Sequence, residues 1–199
     1  MHRLTTAPTA LPVTVAECKR YSNVTIDDDD TLIEDLVRES VAVIENRYGL
    51  ACMEQTWTLT MNGWNDSLYW RDSAIHITRP PFGTVTSITY LDSDGDSQTL
   101  AASKYRVDAA PLAATVSVAK GQTWPTTYGV TADVTIVHTC GNATAAAVPY
   151  VVKAAVRDFV DYRYNTRGQG FQDVNSIIAR GILSQLDSVM AGEGLLLYG

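Results

Sequence analysis

His138 and Cys140 stand two residues apart in "VTIVHTCG". On an extended strand that spacing puts both side chains on one face. The pairing suits nucleophilic chemistry, because an imidazole beside a thiol can take its proton and leave a thiolate. Such a site also needs a group that orients the imidazole, and the sequence identifies none. A strand histidine followed by a small buried thiol at the Cys140-Gly141 turn accounts for the same residues. His2, His76 and His138 are the chain's only histidines, so other general-base or metal proposals are few. Cys18, Cys52 and Cys140 are odd in number and far apart, which builds neither a disulfide framework nor a paired-cysteine metal knuckle. GxSxG, P-loop, GxGxxG and HExxH patterns are absent. No catalytic residue, metal ligand or cofactor is assigned on this reading, and the chain is expected not to be an enzyme.

Two acidic clusters invite a cation. In "YLDSDGDSQTL", Asp92, Asp94 and Asp96 occupy calcium-loop positions one, three and five. The glycine and glutamate that such a loop needs at positions six and twelve are replaced by Ser97 and Ser103. Asp-Gly between β-type runs instead predicts a hairpin turn, since glycine accepts positive φ. Asp27 to Asp30 precede an apolar periodic stretch, where negative charge suits a helix start. A third candidate is aromatic. Trp64 and Trp70 bracket "NDSLY", a predicted loop, and exposed there they would offer a platform for a glycan. Trp57 alternates with Leu59 and Met61 and is expected in a core.

The elements that position these residues follow from periodicity. Thr14 and Glu17 form a capping-box pattern opening one helix. A second is predicted behind the aspartates, with Leu32, Ile33, Leu36, Val37, Ser40, Val41, Ile44 and Tyr48 on one face and Gly49 ending it. From Glu54 the period becomes two, through "QTWTLTM", "AIHITRPP", "TVTSITYL", "YRVD", "ATVSVAK" and "VTADVTIVHTCG". Helix returns after Pro149, with Val152, Val156, Phe159 and Val160 as its buried stripe. A short amphipathic stretch then carries Ile177, Ile178, Leu183 and Leu186, and "GEGLLLYG" ends the chain with Leu195, Leu196, Leu197 and Tyr198. The expected fold is α+β: a helical bundle from both ends of the chain, with an antiparallel sheet or small barrel inserted. The expected divisions are residues 1–53, 54–147 and 148–199.

Charge limits the partners. The net charge is −7, and residues 1–53 carry five basic and nine acidic side chains, residues 54–147 five and eight, residues 148–199 five of each. No segment is basic enough to grip phosphate. The opening "MHRLTTAPTALPVTVAECKR" lacks the uninterrupted apolar run of a signal peptide, and no run is long enough to span a bilayer. A reducing cytoplasm is expected for the newly made chain.

The order of segments carries a resemblance. "LPVTVAECKRYSNV", "DDDDTLIEDLVRESVAVIENRYG", "QTWTLTMNGW", "RPPFGTVTSITYLDSDG", "YRVD", "GQTWP" and the "VP"-initiated helix ending "YRYN" follow one another over residues 11–165. This resembles the head–tail connector (adaptor, or head-completion) family of tailed bacteriophages, which includes adaptors of gene transfer agents. The chain departs from that pattern at "VHTCGNATAAAVP" and over its last 30 or so residues. The resemblance implies a dodecameric ring in the neck of a virion or phage-like particle, assembled in the bacterial cytoplasm. Its implied partners are further copies of itself, the portal protein and a tail-side stopper, with DNA passing the lumen without specific binding and no membrane. Leu195 to Tyr198 are expected to dock on a partner, and Ile177, Ile178, Leu183 and Leu186 either to dock with them or to close the subunit's own bundle, since an amphipathic stripe does not say which core it joins. Two other classes stay open: a glycan-binding module using Trp64 and Trp70, and a thiol enzyme using Cys140 and His138.

Overall fold

The computed structural model of the chain describes residues 1–110, 113–167 and 187–188. They fall into two compact units, one of Met1–Pro8 with Glu54–Gly141, the other of Thr9–Met53 with Asn142–Gly199.

The first unit is built from strands β1 (His2–Thr6), β2 (Gln55–Met61), β3 (Trp70–Arg71), β4 (Ala74–Thr78), β5 (Phe82–Leu91), β6 (Ser97–Thr99), β7 (Tyr105–Ala109), β8 (Ala113–Val118) and β9 (Val134–Cys140). They form two antiparallel sheets, ordered β1-β2-β9-β5-β6 and β3-β4-β8-β7. Alternation explains the burial. Leu59 and Met61 on β2, Ile88 on β5, and Val134 and Ile136 on β9 point to one side of the larger sheet. Ile75 and Ile77 on β4, with Ala114 and Val116 on β8, meet them from the smaller one. Trp64 and Leu100 close this core from the loops. Each fully buried Leu or Ile contributes roughly 1.5–3 kcal/mol of transfer free energy, so the unit has a substantial core of its own.

The second unit holds helices α1 (Val15–Tyr21), α2 (Asp30–Tyr48) and α3 (Tyr150–Thr166), which pack on one another. Thr14 and Glu17 make the capping box in full. The Glu17 carboxyl accepts the Thr14 backbone N–H at 2.8 Å, a bond that favours its ionised form and lowers its pKa. Gly49 ends α2 with φ +63°, in the left-handed region where a side chain is disfavoured. Ile33, Leu36, Val37, Val41 and Ile44 of α2 are buried, as are Val152, Val156, Phe159 and Val160 of α3. Leu32, expected on that face, lies on the exposed side.

The expected helical bundle with an inserted antiparallel sheet or small barrel is corrected by this architecture. Among the described residues, three helices stand against nine strands in two sheets, with helix and strand contents roughly equal. The α+β mix fits; the bundle does not. Periodicity marks each strand as half-buried but cannot say that the strands sort into two facing sheets. The opening residues, read only as unlike a signal peptide, form an edge strand paired with β2.

Candidate functional site

His138 and Cys140 do share a face of β9, and both are fully buried. The Nε2 of His138 lies 2.8 Å from the Nε2 of His2, not at the thiol. Neighbouring strands build this arrangement. Trp57 pairs with His138 across β2 and β9, and the His2 ring lies 4.8 Å from the Trp57 ring. Phe82 stacks on His138 with ring centroids 5.8 Å apart, and the Arg79 guanidinium sits 3.9 Å from the centre of the Trp57 ring. Burial, then the His138 and Arg79 charges, push the His2 pKa down to about 3. Burial chiefly, with Arg79 adding to it, also lowers that of His138. Both rings are therefore neutral at pH 7, one Nε2 donating and the other accepting. A thiolate pair would need a reachable sulfur beside an imidazole free to take its proton. Here the sulfur is sealed, the His138 Nε2 is taken by His2, and burial disfavours the charged imidazole that a thiolate partner requires.

The other two cysteines are no more reactive. Burial raises the Cys18 thiol to about 11 and pushes Cys52 higher still. The glycan platform fails on exposure. Trp64 is only 7% exposed, stacks on Trp124 at 4.5 Å with the planes 8° apart, and donates its indole N–H to the Pro125 carbonyl at 2.8 Å. Trp70 is half-buried against the same core. Trp64 belongs to the interior because its turn folds back over the sheets, which local composition does not reveal.

The acidic clusters serve the backbone and its neighbours. Asp92 Oδ1 accepts the amides of Asp94 and Asp96 at 3.1 and 3.0 Å, inside the β5–β6 hairpin turn where Gly95 has φ +87°. Lys19 bridges Asp27 at 2.5 Å and Asp30 at 2.7 Å beside the start of α2. No group of three or more metal-ligating side chains occurs among the described residues. Sequence reasoning missed Asp133, which is 1% exposed. Its carboxylate accepts the Gly63 amide at 2.6 Å and the Gly129 amide at 3.0 Å, tying two loops of the β unit together. The available signal was a lone acid opening the apolar run "DVTIV".

The helical unit exposes Tyr21 and Tyr150 and carries several arginine and carboxylate pairings beside them, with Tyr164 buried. Arg157 lies 5.7 Å from the Tyr21 ring and 5.1 Å from that of Tyr150, which is 74% exposed. Tyr21 donates to Asp158 at 2.5 Å, which raises the phenol's pKa. Arg163 pairs with Glu39 at 3.0 Å, and the Tyr164 hydroxyl donates to Asp29 at 2.5 Å. Such aromatic and arginine side chains are the types enriched in protein–protein contacts. Ile177, Ile178, Leu183, Leu186, Leu195, Leu196, Leu197 and Tyr198 lie outside the described residues. No described helix is long and apolar enough to cross a membrane.

No protein-family model matches the chain, and no curated protein does. Solved structures do. A chain in the neck of an empty gene transfer agent particle, computed with C6 symmetry, superposes with TM-score 0.70 at 22% identity, covering 90% of this chain and 94% of that one. A chain in the virion of a native gene transfer agent particle gives TM-score 0.71 at 21% identity, with the same coverage. One in the neck of a native particle, computed with C12 symmetry, gives 0.67 at 24% identity, covering 90% and 93%. The present chain has the fold of these particle chains over nearly its whole length.

Proposed function

We propose that this protein is a non-enzymatic structural component of the neck of a tailed phage or phage-like particle. It forms a ring that joins the portal to the tail-side stopper and extends the channel through which DNA passes. The observation that carries this reading is the fold shared over 90% of the chain with chains of gene transfer agent necks. The candidate thiol and imidazole do not assemble a reactive pair: Cys140 is buried and the His138 Nε2 is bonded to His2. A ring requires a heterologous contact, one face of a subunit fitting a different face of the next, with a rotation that closes. Twelve copies match the higher of the two neck symmetries. The net charge of −7 suits a channel wall that repels DNA and does not trap it.

In this reading the apolar C-terminal residues, Ile177, Ile178, Leu183, Leu186 and Leu195 to Tyr198, order on the portal or on a neighbouring subunit. Native mass measurement of the purified chain, alone and with portal, tests the assembly. A ring that forms on the portal is expected; a chain that stays monomeric beside it defeats the proposal. Deleting residues 192–199 tests the tail, and wild-type portal binding without them would remove their docking role.

A further inference from the structure

The histidine pair joins parts of the chain that are distant in sequence. His2 sits on β1, an edge strand whose other four residues are all exposed, and His138 is buried on β9. Between them lies β2, so the bond spans the sheet from its edge to its centre. We propose that the His2–His138 hydrogen bond is an acid-sensitive clasp, which holds β1 on the sheet near neutrality and releases it in acid, where the freed His2 ring takes up a proton.

Proton counting gives the reason. With both imidazoles neutral, a single proton lies between the two Nε2 atoms. A first added proton goes to the free nitrogen of the donor ring and leaves that bond intact. A second must go to the accepting Nε2, which puts two N–H groups face to face at a 2.8 Å separation. The bond is then lost. The charges acting on the two rings add to this. They are Arg79, from the segment after β4, and the Met1 amino group at the head of β1, both positive. Trp57 on β2 and Phe82 on β5 are uncharged rings that offer a cation no anionic partner, and a backbone hydrogen bond at Thr139 favours the His138 cation without outweighing its burial. His2 is partly buried and becomes fully solvated if β1 lifts away, whereas His138 stays enclosed on the inner face. Release would leave β2 as the sheet edge, with its outer backbone groups unpaired.

Opening that exposes one neutral buried histidine gains about tenfold in equilibrium constant for each pH unit below the ordinary imidazole pKa. Hydrogen exchange measured by mass spectrometry on the full chain at pH 7 and pH 4.5 reads this directly. Residues 2–6 are expected to lose at least about tenfold in protection while residues 134–140 keep theirs. His2→Phe, which retains a ring against Trp57 but cannot titrate, is expected to give β1 protection independent of pH. His2→Gln, a neutral donor and acceptor, should behave likewise. Unchanged β1 protection at pH 4.5, parallel loss in β1 and β9, or the same pH dependence in either variant would each overturn the proposal.

Discussion

Replacing Asp133 gives the sharpest test of how the β unit holds its loops. The carboxylate is 1% exposed and accepts two backbone amides, from Gly63 at 2.6 Å and Gly129 at 3.0 Å. Hydrogen bonds to a charged acceptor contribute about 1.5–3 kcal/mol each, and an amide left without a partner bears its desolvation cost. Asp133→Ala is therefore expected to destabilise the β unit by about 3–5 kcal/mol. Asp133→Asn retains one acceptor oxygen and turns an NH₂ group toward the other donor, so it should lose about 2 kcal/mol. Urea unfolding at pH 7, followed by tryptophan fluorescence, suits the question because Gly63 adjoins Trp64 and Trp64 stacks on Trp124. The two variants should differ, with alanine the worse. A loss below about 1 kcal/mol in Asp133→Ala, less than one such bond, would refute the claim that this carboxylate braces both loops.

Stability should also follow pH. Both linked histidines have folded pKa values below the ordinary 6.5, so the unfolded chain binds more protons, and stability present above pH 6.5 falls on acidification. The slope per histidine is at most about 1.4 kcal/mol per pH unit between pH 6.5 and 4.5, and His2→Phe should flatten it in chemical denaturation series. Below that window the carboxyls held low by hydrogen bonds, Glu17, Asp66 and Asp92, add a further loss. At Gly83, a Cβ would stand 2.4 Å from the Thr139 hydroxyl and 3.0 Å from its carbonyl oxygen, so Gly83→Val should cost about 1–3 kcal/mol in thermal or urea unfolding. Cys18 and Cys52 should resist a thiol reagent at pH 8 in the folded protein and react at once in denaturant; fast reaction of the native chain would contradict their burial.

Local physics made part of this molecule readable. The Thr14–Glu17 capping box, the glycine stop of α2, the alternation of Leu59 and Met61 with Thr58 and Thr60 and the Asp-Gly hairpin each depend on residues a few positions apart, and each appears in the structure. Strand β1 was not readable, because "HRLTT" is short and polar and exists as a strand only through its pairing with β2. The His2–His138 contact spans 136 positions and has no local signature. Trp64 illustrates the opposite error. A tryptophan among Asn, Gly and Asp looks exposed, yet stacking on Trp124, sixty positions away, buries it. The division into two sheets failed for the same reason, since alternation marks a buried face without naming what lies opposite.

The central claim is that this chain occupies the neck of a particle as a ring of identical subunits. Cryo-electron microscopy of particles purified from cells that make the chain tests it most directly. The account predicts a closed ring of this fold between the head and the tail, lost from particles when its coding sequence is deleted. Complete particles with an intact neck in which this chain is absent would contradict it.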